Sequence, residues 1–550
     1  MEMRHAGRLL VECLEVLGAK HVFGVPGESY LSVLDGMFQS PVTFVNSRNE
    51  GGAGFMAAAY GKLTGQPGLC FVTRGPGATN ASIGVHTAMQ DSSPMILFVG
   101  QIETTARERE VFQEVDYRAF FGNLAKWATE IEHVERIPEI VSRAWSTALS
   151  GRPGPVVVAL PENVLAADTD VAPIARAPAL PAPSPSSDTV GEIRTALEKA
   201  ARPVILIGGS GWTSTGKDAL ARFADGADIP VITAFRFQDL HDNTLDTFAG
   251  EAGVGMLPEV RETLANSDLV LALNVRFGEM TTDNYALFDL PDMRQTLIHA
   301  HPSSAEIGKI YQPDIAVQSC PNALAHALAE VPLKASRSGW RRAARQRYEA
   351  TFDLPILPGP VNMVEVVRHL QDRLDDDAIL ANGAGNFSIW HSKYFRYGAG
   401  HRLLAPQSGA MGYGLPAAIM AKIVHPERQV VCLAGDGDFQ MNCPELGTAM
   451  QMGAAPVILV LNNRSYGTIR MHQERRFPFR VSGTALANPD FTSLAQAYGM
   501  LGETVERTSD FAPAFERALA SPAGALLEIP IATEALTPHV TIADLREAPN

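Results

Sequence analysis

Short uninterrupted runs of apolar residues alternate with longer amphipathic stretches along the whole chain. HVFGV (21–25) and GLCFVT (68–73) are typical of buried strands, and Ser29–Phe38 and Gly51–Thr64 have the pattern of helices. Strands without polar alternation are buried on both faces, and strands that alternate with helices form parallel sheets covered by those helices. We therefore predict an α/β fold built from doubly wound parallel sheets.

Two stretches with the composition of linkers divide the chain into three blocks. Ala166–Asp188 is rich in proline and alanine, and Ser336–Pro360 begins basic and ends in DLPILPGP, so we expect the second stretch to be an extended tether. The predicted domains therefore span residues 1–165, 189–334 and 361–535, each near the usual domain size. The first and third blocks alternate predicted strands and helices in a similar order.

Charge, hydropathy and cysteine usage exclude several classes of protein. The net charge is −15 with no basic run, so nucleic acid is not an expected partner. No stretch approaches 18 uninterrupted apolar residues, and Met1–Leu10 lacks the apolar core of a signal peptide. The five cysteines are scattered and form no CxxC pair, so neither a disulfide framework nor a zinc site is expected. We expect a cytoplasmic protein with no membrane partner.

Polar residues follow two neighbouring predicted strands in the third block. The strand QVVCLA runs into Gly435-Asp436-Gly437, and the strand PVILVL runs into Asn463. Because a strand–helix–strand crossover is nearly always right-handed, both clusters should lie at the carboxyl edge of one sheet, where ligands bind. Alone, each cluster is more often a turn or a helix cap. Together they predict a Mg²⁺ and diphosphate site, since carboxylate and amide oxygens suit this ion.

The segment GDGDFQMNCPELGTAMQMGAAPVILVLNN resembles the signature of thiamine-diphosphate enzymes of the acetolactate synthase, pyruvate oxidase and 2-oxo acid decarboxylase superfamily. Residues 44–65, 68–101, 151–165 and 407–421 resemble further family segments in the same order, so the resemblance covers essentially the whole chain. VFQEVD and HPSSAEIGK are most similar to acetolactate synthase catalytic subunits. The resemblance implies a pyrimidine-binding, a central and a diphosphate-binding domain, in that order.

The resemblance also implies roles for individual residues. Glu50 matches the acid that hydrogen-bonds the cofactor pyrimidine, although in isolation it is more often a helix N-terminal acid. Asp436, Asn463 and the backbone carbonyl of Ser465 match the Mg²⁺ ligands, and Met411 matches the residue under the bent cofactor, although methionine is more often core filling. The remaining cofactor-binding positions are Gly385, Asn386, Gly409, Gly435, Gly437, Asp438, Tyr466 and Gly467.

The implied reaction is decarboxylation of a pyruvate-like 2-oxo acid, followed by carboligation to a second carbonyl. Phe112 and Gln113 match residues that cover the active site of the neighbouring subunit in the family. Gln113 would orient the acceptor carbonyl by hydrogen bonding; the alternative is that it is an ordinary polar residue of a loop. Glu28, next to Gly27, stands where acetolactate synthases carry glycine, and His472 stands where they carry tryptophan. A carboxyl group at Glu28 would protonate the enamine left after decarboxylation and so favour release of an aldehyde, or it would merely cap a helix. Because of these departures, two other functions stay open beside carboligation: a non-ligating 2-oxo acid decarboxylase and a thiamine-diphosphate lyase acting on another substrate.

The remaining expectations concern nucleotide binding by the central block and the number of chains in the assembly. NVRFGEMTTDNY (274–285) departs from the family segment that helps hold FAD, so FAD binding stays open. VILIGGSGW lacks the third glycine of a dinucleotide fingerprint, and NAD is not expected. In the family, the pyrimidine domain of one chain faces the diphosphate domain of another. The resemblance therefore implies a homodimer or homotetramer with active sites at the subunit interface.

Overall fold

The computed structural model describes residues 3–330, 333 and 337–547, which contain three six-stranded parallel sheets one after another along the chain. Every pairing within these three sheets is parallel, and helices connect most successive strands. The predicted fold class of three doubly wound parallel sheets is therefore confirmed. Two short antiparallel pairs lie outside them, and no helix among the described residues is long and apolar enough to cross a membrane.

The first sheet has the strand order β3-β2-β4-β5-β7-β6. Its elements, with the antiparallel pair β1–β8, are β1 (Arg4–His5), α1 (Ala6–Val16), β2 (His21–Gly24), α2 (Leu31–Met37), β3 (Thr43–Asn46), α3 (Glu50–Thr64), β4 (Gly68–Val72), α4 (Gly75–Asp91), β5 (Met95–Gln101), α5 (Tyr117–Phe121), β6 (Trp127–Glu130), α6 (Ile137–Leu149), β7 (Pro155–Pro161), α7 (Glu162–Ala166) and β8 (Asp168–Thr169). Helix α3 is almost wholly buried, because its glycines and alanines let it approach α4 closely. A Cβ at Gly84 would lie 2.5 Å from the backbone of Gly54.

The second sheet has the strand order β11-β10-β9-β12-β13-β14. Its elements are α8 (Ser187–Lys199), β9 (Pro203–Ile207), α9 (Ser214–Gly226), β10 (Val231–Ala234), β11 (Phe248–Ala252), α10 (Pro258–Ala265), β12 (Leu269–Leu273), β13 (Thr296–His301), β14 (Ile315–Gln318), α11 (Pro321–Ala329) and α12 (Ser338–Ala350). Counted along the chain, this order is the one found in dinucleotide-binding sheets, which open a crevice after the strands corresponding to β9 and β12.

The third sheet has the strand order β16-β15-β17-β18-β20-β19. Its elements, with the antiparallel pair β21–β22, are α13 (Met363–Arg373), β15 (Ile379–Asn382), α14 (Ile389–Tyr394), β16 (Arg402–Leu404), α15 (Gly414–Val424), β17 (Val430–Gly435), α16 (Asp436–Gln440), α17 (Leu446–Met452), β18 (Val457–Asn462), α18 (Gly467–Arg476), α19 (Phe491–Ala497), β19 (Leu501–Thr504), α20 (Thr508–Ala520), β20 (Ala525–Pro530), β21 (Ala535–Thr537), β22 (Val540–Thr541) and α21 (Ile542–Glu547). Residues 536–547, which follow the end of the last predicted domain at residue 535, pack against α18 of this unit.

Helix α12 corrects the expectation of an extended tether between residues 336 and 360. Its apolar side, including Ala344 and Tyr348, is buried, and its basic side chains bind the second sheet's loops. The guanidinium of Arg345 donates to the carbonyls of Asn243 and Leu245, both at 2.9 Å. The amphipathic spacing of this segment therefore outweighs the prolines that follow it.

The first and third sheets share one hydrophobic core, whereas the second sheet has a core of its own. Helix α3 of the first unit packs on α15 of the third, and the rings of Phe55 and Tyr413 meet edge to face at 5.5 Å. Burying one large apolar side chain stabilises a fold by about 2–3 kcal/mol, so this shared core holds the two units in a fixed relation.

Candidate active site

The polar residues after β17 and β18 meet at the carboxyl edge of the third sheet. These strands pair in parallel with Gly435 opposite Leu461, and Asp436 is the first residue of α16. A cavity of ≈ 240 Å³ lies here. It is lined by every residue that the sequence assigned to the diphosphate half of the site: Gly385, Asn386, Gly409, Met411, Gly435, Asp436, Gly437, Asp438, Asn463, Ser465, Tyr466 and Gly467.

The oxygen atoms of this cavity suit a hard cation. Burial of Asp436 raises the pKa of its carboxyl, and a 2.7 Å hydrogen bond from Asn488 Nδ2 to its Oδ2 acts in the opposite direction. Oδ1 of Asn463 accepts from the backbone N–H of Ser465 at 3.0 Å, and the buried Ser465 hydroxyl has no hydrogen-bond partner. Mg²⁺ takes one or two protein oxygens together with phosphate and water, so this donor set fits it. A cation here would offset the cost of burying Asp436.

Glycines form the walls of the cavity where a side chain would collide. A Cβ at Gly437 would lie 2.5 Å from the ring of Tyr466, and a Cβ at Gly435 would lie 2.7 Å from the ring of Phe387. Gly385 has φ of 154°, which L side chains rarely adopt. These positions leave the backbone open to a bulky ligand, as a diphosphate requires.

Asp438 joins two of the loops that surround the cavity. Its Oδ1 accepts from the backbone N–H groups of Ala384, at 3.1 Å, and Gly412, at 2.9 Å. Burial raises the pKa of this carboxyl to about 7, and the two backbone hydrogen bonds act against that rise. Asn386 is held separately, because its N–H donates to the hydroxyl of Thr468 at 3.0 Å. The loop after β15 is thereby fixed on two sides.

Met411 stands half-buried at the cavity wall, between Gly409 with φ of 66° and Gly412 with φ of 80°. The segment that leads to it is held by the second sheet's unit, since Arg236 Nη1 donates to the carbonyl of Pro406 at 2.6 Å. A side chain on a turn fixed at both ends is suited to support a bent cofactor.

Glu50 is the first residue of α3, directly after β3 and its loop. Its Oε2 accepts from Asn80 Nδ2 at 2.9 Å, and the side chain of Asn49 caps the helix by accepting from the N–H of Gly51 at 2.8 Å. The half-buried carboxylate therefore stands at a helix N-terminus, where a negative charge is stabilised.

Glu28 and Gly27 lie in the loop after β2. A Cβ at Gly27 would lie 2.6 Å from Cβ of Thr73, so this loop touches the one after β4. The Glu28 side chain is 68% exposed and forms a 2.8 Å ion pair with Arg74, which also lies 3.3 Å from Glu162. The carboxylate of Glu28 is thus paired with a guanidinium.

Phe112 and Gln113 lie in the nearby loop between β5 and α5. Phe112 is 70% exposed, and Gln113 has φ of 66° with its carbonyl accepting from the N–H of Gly75 at 3.1 Å. The loop therefore presents a large apolar side chain outward beside the Glu28 loop.

Within one chain, the candidate residues of the first unit do not join those around Asp436. Among the residues that the structure describes, none before Ala384 lines the cavity around Asp436, so Glu50, Glu28 and Gln113 stand apart from it. His472 is exposed on α18 and does not line the cavity either. The predicted site is thus divided into two halves within a chain.

A second cavity, of ≈ 460 Å³, lies where the three units meet and includes Arg236, Arg276 and Gly385 in its lining. The turn after β9 lies at its edge, and Gly209 of this turn lines the cavity. A Cβ at Gly209 would lie 2.5 Å from the side chain of Asn274, and the side chain of Thr213 caps α9. Glycine at position 209 therefore lets the turn pack closely against Asn274.

Several residues of the site were not found by sequence reasoning. Asn488 hydrogen-bonds Asp436, Thr468 holds Asn386, and Leu536 lines the cavity from the C-terminal segment. Glu445 contacts the loop before Glu50 across the boundary between two units. Each belongs to a different element from its partner, so no local sequence pattern points to it.

Three family models match successive parts of the chain. They are described as thiamine pyrophosphate enzyme N-terminal TPP binding domain, central domain, and C-terminal TPP binding domain, and they match residues 4–120, 190–328 and 383–529 respectively.

Similar curated proteins match almost the full length. The acetolactate synthase isozyme 2 large subunit of Escherichia coli (strain K12) is 30% identical over 531 residues, covering 95% of this chain and 94% of that protein. The mitochondrial acetolactate synthase of Schizosaccharomyces pombe is 31% identical, covering 93% of this chain and 81% of that protein. The mitochondrial acetolactate synthase catalytic subunit of Saccharomyces cerevisiae is 30% identical, covering 96% of this chain and 80% of that protein.

Proposed function

The chain belongs to the thiamine pyrophosphate enzyme family, and we propose that it decarboxylates a pyruvate-like 2-oxo acid and joins the remaining acyl unit to a second carbonyl. The observation that carries this proposal is the cavity that brings together Asp436, Asn463 and Ser465, with Met411 in its wall. Relatives at about 30% identity are named acetolactate synthases, and this supports the carboligation.

Mg²⁺ and the cofactor diphosphate would occupy the cavity at the third sheet. Asp436, the amide oxygen of Asn463 and the backbone carbonyl of Ser465 would hold the ion. Gly385, Gly435 and the neighbouring backbone groups would receive the diphosphate, in the crevice at the carboxyl end of the strands. When bound, thiamine diphosphate supplies the nucleophilic carbon and the electron sink for decarboxylation.

Glu50 would act on the cofactor pyrimidine by holding a proton at a ring nitrogen. A carboxylate at a helix N-terminus, backed by Asn80, is fixed in direction and suited to this hydrogen bond. Met411 would support the bend of the cofactor. Both roles depend on position, because the reactive groups must meet in one geometry.

We further propose that two chains complete each site. The cavity around Asp436 has no lining residue from the first unit among the described residues, and Glu50 stands outside it. A second copy that presents Glu50 and the Gln113 loop to this cavity would join the two halves. The exposed Phe112 beside Gln113 supports such a contact, since it would otherwise remain in water.

The ion pair between Glu28 and Arg74 bears on whether the acyl unit left after decarboxylation would be protonated or joined to a second carbonyl. A non-ligating decarboxylase needs a group that delivers a proton to it, and Glu28 is the candidate that the sequence offers. In the structure its carboxylate is paired with Arg74 at 2.8 Å, which supports carboligation over protonation. Gln113 would then orient the acceptor carbonyl through its side-chain amide.

FAD is not part of this proposal. No step of the reaction is assigned to it.

The test is to incubate the protein with thiamine diphosphate, Mg²⁺ and a panel of 2-oxo acids led by pyruvate, and to follow CO₂ and organic product by NMR. Acetolactate from pyruvate is the expected result. Aldehyde and CO₂ in equal amounts would instead make the protein a simple decarboxylase with Glu28 as proton donor. Turnover unchanged in Glu50→Gln would contradict the mechanism.

A further inference from the structure

A buried carboxylate of the third unit reaches the loop that precedes Glu50 in the first unit. Glu445 lies in the single turn Cys443–Glu445 before α17 and is 0% exposed. Its Oε1 accepts from the backbone N–H groups of Arg48, at 3.1 Å, and Asn49, at 3.0 Å. Its Oε2 accepts from the hydroxyl of Thr448 at 2.6 Å. The carboxylate thus accepts hydrogen bonds from the backbone N–H groups of the two residues that precede Glu50.

The surroundings are shaped for this contact. A Cβ at Gly52 would lie 2.4 Å from Oε1 of Glu445, so only glycine fits in the first turn of α3 at this approach. The guanidinium of Arg48 makes a second tie, donating to the carbonyl of Gly447 at 3.0 Å and to Gln451 at 2.8 Å. The loop before Glu50 is therefore fixed by its backbone and by a side chain.

Cohesion between the two units does not require this carboxylate. Helices α3 and α15 already join the units through a shared apolar core. Burying a carboxylate is unfavourable unless hydrogen bonds compensate it, and the pKa of Glu445 is raised mainly by that burial. The stabilisation that Glu445 provides is local, because it supplies a hydrogen-bond acceptor to two backbone N–H groups next to Glu50.

We propose that Glu445 is a positioning residue for Glu50, acting through the backbone N–H groups of Arg48 and Asn49. By fixing the N-terminal turn of α3, the third unit of each chain sets the direction of the carboxylate that the same chain presents to the cofactor pyrimidine. This inference rests on the proposed function, in which Glu50 bonds that ring.

The first experiment measures the contact without any cofactor. Glu445→Met keeps the side-chain volume but removes the acceptor, whereas Glu445→Gln keeps an acceptor oxygen for both N–H groups. Hydrogen–deuterium exchange of the apoprotein should show lost protection at residues 46–52 in Glu445→Met and retained protection in Glu445→Gln. Equal protection in the wild type and Glu445→Met would overturn the proposal.

The second experiment measures the consequence for Glu50. Exchange of the cofactor C2 proton for deuterium, followed by NMR at saturating thiamine diphosphate and Mg²⁺, should slow about 10–100-fold in Glu445→Met, since small misplacements of catalytic groups have effects of this size. Cofactor affinity should stay near that of the wild type, because Asp436 and Asn463 are untouched. Glu445→Gln should restore the rate, and a rate as slow as that of Glu445→Met would overturn the proposal.

Gln451→Leu is the matched control, because it removes one acceptor from the side chain of Arg48 but leaves that side chain's bond to the Gly447 carbonyl and both backbone contacts with Glu445 in place. It should leave the C2 exchange unchanged. If Glu445→Met does not fold, Gly52→Ala disturbs the same contact from the other side and should slow the exchange in the same way. A wild type no faster than Glu50→Gln would refute the proposed function itself, whereas the apoprotein measurement judges the Glu445 contact independently.

Discussion

The first and third sheets have the same topology but carry different chemistry. Counted from β2 and from β15, both arrange their six strands in the order second, first, third, fourth, sixth, fifth. In the third sheet, the loops after the first and third strands line a cavity, to which they contribute Gly385 and Asp436. In the first sheet, the equivalent loops touch through Ser29 and Thr73, and Glu28 is paired with Arg74. Topology therefore fixes where a site can form, and loop residues decide what it does.

The two sheets also differ in how these loops are joined. The first uses a neutral hydrogen bond, with 2.9 Å between the hydroxyl oxygens of Ser29 and Thr73. The third uses the buried carboxyl of Asp438, which accepts from Ala384 and Gly412. The difference suits their proposed tasks, because the third sheet must hold glycine-rich loops open around a ligand, while the first closes its own crevice.

The largest expected effect separates cofactor binding from catalysis. Asp436→Ala removes the only carboxylate proposed to bind the ion, so Mg²⁺-dependent binding of thiamine diphosphate should weaken by about 100-fold or more, as measured by calorimetry. Glu50→Gln should leave that affinity nearly unchanged while turnover falls by about 10²–10⁴-fold. If both variants lost affinity alike, the division of labour between the two sheets would be wrong.

Mixed assemblies test whether the halves come from different chains. Glu50→Gln and Asp436→Ala chains, each inactive alone, are refolded together or co-expressed with different tags. If each site takes Glu50 from one chain and Asp436 from the other, a mixed dimer holds one intact site, and an equal mixture should recover about a quarter of wild-type activity. Sites formed within one chain would give no recovery. A double variant mixed with either single variant serves as the control.

The carboxyl of Asp438 should make stability depend on pH. Its pKa is raised to about 7 by burial, so the folded protein keeps a proton that the unfolded chain releases near pH 4. Stability of the apoprotein should therefore fall as the pH rises from about 4 to about 7, by at most about 1.4 kcal/mol per pH unit, and then level off. Asp438→Asn should reduce this dependence, as judged by denaturation midpoints at pH 5 and pH 8. An unchanged slope in the variant would assign the dependence to other groups.

The smallest expected effect lies in the first sheet. Thr73→Val removes the hydrogen bond with Ser29 and should cost about 1 kcal/mol of stability. Because neither hydroxyl titrates in this range, the loss should be the same at pH 5 and pH 8 in the same denaturation measurement. A loss that varies with pH would mean that the loops of the two sheets are held by similar electrostatics after all.

Several parts of the fold and of the site could be predicted because their signals are local. Uninterrupted apolar runs predicted the buried strands β4, β17 and β18, and matched polar clusters at strand ends predicted that Asp436 and Asn463 meet in one cavity. Helix α12 was mistaken for a tether, because the prolines that follow it were given more weight than its own amphipathic spacing.

Other features have no local signal. Asn488 lies 52 residues from Asp436 in sequence, and Glu445 lies 397 residues from Arg48. A polar side chain looks the same in a sequence whether it faces water or a distant backbone N–H group. Only the packing of α3 on α15 brings Glu445 to the loop before Glu50.

The sequence by itself determined the class of fold, the family and many of the residues that line the cavity around Asp436, because each depends on patterns within one strand–loop–helix unit. The tertiary structure alone decided that Arg74 pairs with the carboxylate of Glu28 and that Glu445 holds the loop before Glu50. The contact made by Glu445 joins elements far apart in the chain, and it depends on the core that the first and third sheets share, which no single segment encodes.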